Sequence, residues 1–178
     1  MPSLRSLGLT LGLCSMPLAP ACADDGGATD GLGGDELPAP DDEADPDDVP
    51  SDSEALLAWL VAEPYLDWPA ESAIHGSTGP HFGNVRTWVN PALLESLEQG
   101  AAQHPAGAAA VKELYGSGDT RLGWAVSVKL ADDSEDGEQW YWYEWYNGGL
   151  IAQGDGISLC TGCHRGGSDF VLTPFPLQ

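Results

Sequence analysis

The chain has 178 residues, of which 28 are acidic and six are basic, so its net charge is −22. A protein this negative is repelled by nucleic acids and by anionic membrane surfaces, and we expect it to bind neither. Its length allows one folded domain with a real core.

The N-terminal segment has the features of a secretory signal. One early basic residue, Arg5, precedes an apolar run over 7–18 that is too short to span a membrane. The Ala19-Pro20-Ala21 exit suits ordinary Ala-x-Ala processing, which would release a soluble protein, whereas lipoprotein processing before Cys22 would leave a cysteine that can carry a lipid. We expect a signal peptide over 1–22 with a lipid on Cys22, and therefore a protein on the periplasmic side of a bacterial envelope.

An acidic segment follows the signal. Residues 24–54 contain thirteen Asp or Glu, no Lys or Arg, and many Gly, Pro and Ala. Such a composition buries too little apolar surface to offset the entropy lost on ordering, and its charges repel one another. We expect a disordered linker over 23–54 and one domain over 55–178, where fifteen acidic and five basic residues leave a net charge near −10.

The first predicted elements of the domain are a helix and a strand. Ser51 and Glu54 have the spacing of a capping box in front of an apolar run, which predicts a short helix. Residues 84–90 (NVRTWVN) alternate in polarity and predict a strand, with Arg86 and Trp88 on the same face.

The next predicted elements are a second helix and a hairpin. Asn90, followed by proline, starts the helix, and Gly100 ends it. The segment 106–116 is ambiguous between helix and strand. Residues 121–130 and 139–147 alternate on either side of a polar turn and predict a long β-hairpin. We expect its many aromatic side chains to pack in the core or against a cofactor.

The most specific motif is CTGCH at residues 160–164. A C-x-x-C-H run is the attachment signature of c-type haem, in which both thiols add to vinyl groups of the porphyrin and the histidine binds the iron. We expect one haem c held by Cys160 and Cys163, with His164 as the proximal ligand. A structural zinc site, which needs a second ligand pair, and a dithiol redox site, which needs a βαβ context, are the alternatives.

These elements together predict a sheet-dominated α+β domain. It consists of an antiparallel β-sheet with short helices and a C-terminal loop that binds haem c.

The methionine content restricts the other side of the iron. The two methionines, Met1 and Met16, both lie in the predicted signal peptide, so the mature protein cannot build the Met/His pair of ordinary electron-transfer cytochromes c. The choices left are a second histidine, from His75, His81 or His104, or a five-coordinate iron with an open distal face. We favour the open site, which lets small molecules bind, and expect His104 to be a surface residue.

Five segments resemble the cytochrome P-460 family, which also includes the c-prime-beta cytochromes, in their order and spacing. They are NVRTWVNP, AAAVKELYG, GWAVSVKL, the aromatic strand QWYWYEWYN and LCTGCHRGGSDFVLTPF, within about residues 75–178. The resemblance implies a largely β-sheet fold, usually dimeric, that holds a five-coordinate c-type haem.

The resemblance also implies roles for two basic residues. In the hydroxylamine-oxidising members, a lysine of the Val-Lys-Glu strand is covalently bonded to the porphyrin edge, and Lys112 occupies that position. Burial beside an apolar haem would favour this chemistry by lowering the pKa of the amine. An arginine of the preceding strand lies on the distal side in those members, and Arg86 matches it.

The sequence departs from the family pattern at one carboxylate. The hydroxylamine-oxidising members have it a few residues before the Ser-Val-Lys of the next strand, where it helps to move protons from the substrate. This chain has Ala125 and Val126 there. The candidates to replace it are Glu113, Glu144 and Asp169.

Three functions are therefore compatible with the sequence. They are oxidation of hydroxylamine or a related small nitrogen compound, non-enzymatic binding of nitric oxide or carbon monoxide, and simple electron transfer. Lys112 favours the first, the missing carboxylate near Ala125 favours the second, and the missing methionine weakens the third. We expect the first, with the electrons leaving to a separate redox partner and the protein forming a homodimer.

Overall fold

The computed structural model of the protein describes residues 47–81, 83–133 and 136–178. The predicted signal peptide, the lipidation candidate Cys22 and most of the predicted linker lie outside these residues. Within the described ranges, no helix is long and apolar enough to cross a membrane.

The elements follow one another along the chain with short connections. They are helix α1 (Ser53–Ala62), a 3-10 turn (Pro64–Asp67), strands β1 (His75–Gly76) and β2 (Asn84–Val89), helix α2 (Pro91–Glu98), strands β3 (Ala109–Tyr115), β4 (Arg121–Lys129), β5 (Trp140–Tyr146) and β6 (Gly149–Asp155), and helix α3 (Ser158–His164).

The strands form one sheet in the order β1-β2-β3-β4-β5-β6. Every neighbouring pair is antiparallel, so the sheet is a meander in which each strand pairs with the one before it in the chain. The predicted sheet-dominated α+β fold is confirmed.

Helix α1 begins one residue later than its predicted cap, Ser51, would place it. Residues before position 55, the predicted start of the domain, already contribute to the core. The side chain of Asp52, and not that of Ser51, caps the helix by accepting hydrogen bonds from the backbone N–H groups of Glu54 and Ala55 at 3.0 Å. Val49 is already buried in the core. The described residues that belong to the domain therefore include several before position 55, inside the segment predicted as linker.

Helix α2 has the predicted start. Asn90 Oδ1 accepts a hydrogen bond from the backbone N–H of Leu93 at 3.0 Å, and Pro91 is the first helical residue. The same oxygen accepts from the N–H of Ala109 at 2.9 Å, so this buried cap also fixes the helix to β3. Gly100 has a φ of 62°, as expected for the residue that ends the helix.

The sheet has a hydrophobic cluster on each face, because alternate side chains of a strand point to opposite sides. On the first face, α1 and the 3-10 turn cover a cluster that includes Trp88, Val111, Trp124, Tyr141 and Tyr143. On the second face, α2 and the C-terminal segment cover Val89, Ala110, Trp140, Trp142 and Val171. The aromatic run of β5 thus places Tyr141, Tyr143 and Trp145 on the first face, and Trp140 and Trp142 on the second.

The hairpins account for the remaining strands. Strands β4 and β5 pair as predicted, from Gly123 opposite Tyr146 to Lys129 opposite Trp140. The ambiguous segment 106–116 contains strand β3, whose pairing on both edges favours the extended form over the helical preference of its alanines.

Candidate functional site

The CTGCH motif lies in helix α3, which begins at Ser158 and ends at His164, so these five residues are helical where a loop was expected. A spacing of three residues puts Cys160 and Cys163 about one helical turn apart. Cys160 is partly buried and packs against the second hydrophobic cluster, whereas Cys163 is exposed. Burial raises the pKa of the Cys160 thiol to about 11, with further contributions from Glu144 and Cys163.

His164 is oriented by a backbone carbonyl. Its Nδ1 lies 2.9 Å from the carbonyl oxygen of Phe170, which can only accept, so Nδ1 carries the proton and Nε2 is left free as a ligand atom. The Trp142 ring lies beside the imidazole, with the ring centres 4.5 Å apart. Burial lowers the pKa of His164, partly offset by the bond to Phe170, and this favours the neutral form that binds metals.

The segment that supplies this carbonyl is held by a buried ion pair. Lys129 Nζ lies 2.7 Å from Asp169 Oδ2, and both side chains are almost completely buried. The same carboxylate accepts a hydrogen bond from the backbone N–H of His104 at 2.8 Å. Asp169 and Phe170 both have positive φ values, of 43° and 67°, which turn the chain sharply after α3. No pattern in the sequence predicted this pairing.

A cavity of about 280 Å³ lies between the second face of the sheet and α3. Cys160, Cys163 and His164 line it from the helix, and Lys112 lines it from β3. The structure therefore brings together four of the five residues that the sequence assigned to a haem site. The other residues that line the cavity include His81, Trp142, Glu144, Ile151, Leu159 and Leu172.

Lys112 lies in a row of paired residues that crosses the floor of the cavity. Thr87 pairs with Lys112, Lys112 with Ala125, and Ala125 with Glu144. Among the described residues, none forms a hydrogen bond or an ion pair with the Lys112 amine. Burial lowers its pKa, and the buried carboxylate of Glu71 raises it by a smaller amount. This is the environment of a lysine that can act as a nucleophile.

Only one of the three carboxylates considered from the sequence lines the cavity. Glu144 projects from β5 directly opposite Ala125. Glu113 lies on the other face, where its carboxylate accepts hydrogen bonds from Tyr65 at 2.7 Å and Arg121 at 2.6 Å. Asp169 is occupied by the ion pair with Lys129 described above.

Arg86 does not reach the cavity. Its neighbour Thr87 lines the cavity, and alternation along β2 therefore turns Arg86 to the opposite face. There its Nε donates to the carbonyl of Glu71 at 2.8 Å, and its guanidinium lies 4.7 Å from the centre of the Trp88 ring. Arg86 therefore does not occupy the distal position that the resemblance implied.

The three remaining histidines occupy different environments. His75 is exposed, and its Nε2 lies 3.1 Å from Glu71. His104 is buried, contrary to the surface position predicted from its polar loop, and its Nδ1 lies 2.8 Å from Ser96 Oγ. His81 alone of these three lines the cavity, where its Nδ1 lies 3.5 Å from Glu144 Oε2.

The chemistry of the cavity fits a c-type haem. Three large apolar side chains at the cavity are unusually exposed, Ile151 at 54%, Leu159 at 66% and Leu172 at 50%, and a flat apolar ligand would cover them. The buried indole N–H of Trp142 has no hydrogen-bond partner in the described part of the chain. With the two thiols and the oriented imidazole, these features suit an amphipathic macrocycle.

The described side chains are not arranged to bind a metal ion without a porphyrin. Residues 47–81, 83–133 and 136–178 contain no group of three or more His, Cys, Asp or Glu side chains arranged to hold one. A haem iron takes four ligands from its porphyrin and needs only an axial group from the protein.

No protein-family model matches the chain, and no curated protein matches it in sequence.

Proposed function

We propose that this protein is an exported cytochrome with a single c-type haem, similar to the cytochrome P-460 family, that acts on small nitrogen compounds. The observation that carries the proposal is that Cys160, Cys163 and His164 line the same cavity as Lys112, which is far from them in sequence. Most lysines in proteins have their charge in water, so a lysine that lines an apolar cavity is unusual.

The residues of the cavity have separable roles in this proposal. Cys160 and Cys163 would each hold the haem through a thioether, formed by adding S–H across a vinyl group, which needs no oxidant. His164 would bind the iron through Nε2, with its orientation fixed by the Phe170 carbonyl. When bound, the haem would supply an iron that binds small ligands and exchanges electrons.

Lys112 would bond to the porphyrin edge. Its Nζ would replace a hydrogen on an edge carbon, which releases two protons and two electrons, and the electrons would pass to a two-electron oxidant of the peroxide class. An unpaired, partly buried amine of lowered pKa favours this reaction. Glu144 is the carboxylate available to accept protons from a substrate such as hydroxylamine, and the electrons would leave to a separate redox partner.

The experiment that tests this proposal compares wild-type protein with Lys112→Ala and Lys112→Arg after maturation in a periplasm. In wild type, we expect the haem to stay bonded to Lys112 after denaturation and digestion, with a ferrous absorption band displaced strongly to the red. Both variants should lose this displacement while keeping their thioethers, because arginine preserves the positive charge but not the nucleophile. Mass spectrometry of haem peptides and electronic spectra provide the measurements.

An assay of turnover with hydroxylamine and an artificial electron acceptor then shows whether the protein is an enzyme or only binds small ligands. Oxidation by wild type and its loss in both Lys112 variants would support the proposed activity. Identical spectra for all three proteins would exclude the cross-link.

A second candidate function is the non-enzymatic binding of nitric oxide or carbon monoxide. It is favoured by Ala125, which stands where the hydroxylamine-oxidising members have a carboxylate, and by the position of Arg86 away from the cavity. Ligand binding without hydroxylamine turnover would identify this function.

We also propose that the protein is a homodimer exported to the periplasmic side and anchored by a lipid on Cys22, with the acidic segment as its tether. We expect Cys22→Ser to move the protein from the membrane fraction to the soluble periplasmic fraction, because a thiol is required for lipid attachment. Immunoblots of fractionated cells measure this shift. Wild-type protein that is already soluble would contradict the anchor.

A further inference from the structure

Two histidines lie close together in the cavity, at a distance typical of axial metal ligands. The ring centres of His81 and His164 are 6.3 Å apart, and their planes are inclined by 69°. A metal–nitrogen bond to histidine is about 2 Å long, so two imidazoles that bind one metal ion from opposite sides have ring centres about 6 Å apart. The observed separation therefore suits one shared iron.

The same distance argues against another role for His81. A histidine that hydrogen-bonds to a ligand already on the iron must lie farther away, because the ligand and a hydrogen bond of about 3 Å come between them. A separation of 6.3 Å between the ring centres leaves room for an iron atom between the rings but not for an additional ligand. With an iron at that place, His81 would have to move aside before a substrate could bind to it.

Each histidine has Nδ1 near an oxygen atom, within hydrogen-bond distance in His164 and at ion-pair distance in His81. His164 uses Nδ1 to donate to the Phe170 carbonyl. His81 has its Nδ1 3.5 Å from the carboxylate of Glu144. In both rings Nε2 remains for a metal, and a carboxylate behind a ligating histidine is a common means of fixing its orientation.

His81 belongs to the connection between β1 and β2, while Glu144 belongs to the sheet. The base of this connection is closed by a backbone hydrogen bond of 3.0 Å from Ser77 to Gly83. The His81 side chain is mostly buried, with 17% of it exposed. A ligand carried by a surface connection can leave without disturbing the core, because only the loop and its side chain need to move.

We propose that His81 is the second axial ligand of the haem iron in the resting protein, positioned by Glu144, and that small molecules bind by displacing it. This inference rests on the proposed haem site and replaces an open sixth position with an exchangeable one. The step breaks the bond between iron and His81 Nε2 and forms one between iron and the incoming ligand, with no change of oxidation state.

The test uses electron paramagnetic resonance and electronic absorption of the mature holoprotein. Wild type should be six-coordinate and low-spin in both oxidation states, and His81→Ala should be high-spin. Added imidazole should restore the low-spin spectrum of His81→Ala. His75→Ala is the matched control, because His75 is exposed and does not line the cavity, and its spectrum should equal that of wild type.

Carbon monoxide provides a second readout. If His81 leaves the iron open for a tenth of the time, removing it raises the apparent affinity about tenfold. His81→Met tests coordination without removing the ligand: the iron should stay six-coordinate, and its reduction potential should rise because sulfur replaces nitrogen. This variant keeps the proposal falsifiable if His81→Ala does not fold.

Two outcomes would overturn the proposal. One is a wild-type protein with covalent haem that is high-spin in both oxidation states. The other is a His81→Ala variant that remains low-spin without imidazole, which would identify a different sixth ligand. Mature wild-type protein without any covalent haem would instead contradict the proposed function, so the two failures are distinguishable.

Discussion

Replacing both Cys160 and Cys163 by serine should abolish covalent haem attachment, because a hydroxyl group does not add to a porphyrin vinyl group as a thiol does. Each single variant should keep one thioether. In a pyridine haemochrome assay, we expect the c-type spectrum to disappear in the double variant and to shift in each single variant. Acidified organic solvent should then extract any haem that the double variant still binds.

A suitable control is Ser158→Ala, since Ser158 is an exposed residue of the same helix that does not line the cavity. It should mature with the same haem content as wild type. If the double serine variant retained a covalent haem through its CTGCH segment, the assignment of these cysteines would be wrong.

The second large effect should come from breaking the buried ion pair between Lys129 and Asp169. Both side chains are almost fully buried, at 0% and 2% exposure, and the ammonium also lies 5.2 Å from the centre of the Trp140 ring. Lys129→Met leaves the carboxylate of Asp169 buried without its cation. Removing one partner of a buried pair typically costs about 3–5 kcal/mol, and we expect a loss of this size in the free energy of unfolding.

Urea denaturation of wild type and of Lys129→Met measures that loss in the free energy of unfolding. The double variant Lys129→Met, Asp169→Asn should recover much of it, because asparagine removes the charge and its carbonyl still accepts from the His104 backbone. Arg165→Met, at an exposed cation with no ion pair among the described residues, should change stability by no more than about 0.5 kcal/mol. If Lys129→Met and Arg165→Met lost similar amounts of unfolding free energy, the ion pair would not be important for stability.

The secondary structure was largely predictable where local chemistry determines it. The Asn90 cap, the alternation in β2 and the long hairpin all follow from short-range patterns. Strand β6 was missed, although Asn147 and Gly148, with φ values of 50° and 82°, form the two-residue turn that an Asn-Gly pair favours between strands. The signal was therefore present in the sequence.

The site was predictable only in part. The CTGCH spacing is local chemistry, and the family resemblance led to Lys112. The direction of Arg86 depends on which face of the sheet the helix α3 covers, and that choice is made by long-range packing. The burial of His104 and the pairing of Lys129 with Asp169 depend on the same packing, since 40 residues separate the members of the pair.

The meander order of the sheet has a consequence for how the protein is made. Each strand pairs with its predecessor, so the sheet can grow in the order in which the chain is synthesised, without waiting for distant segments. The wall of the cavity on β3, β4 and β5 is complete in sequence before helix α3 appears. The last segment to arrive therefore docks onto a surface that the earlier strands have already formed.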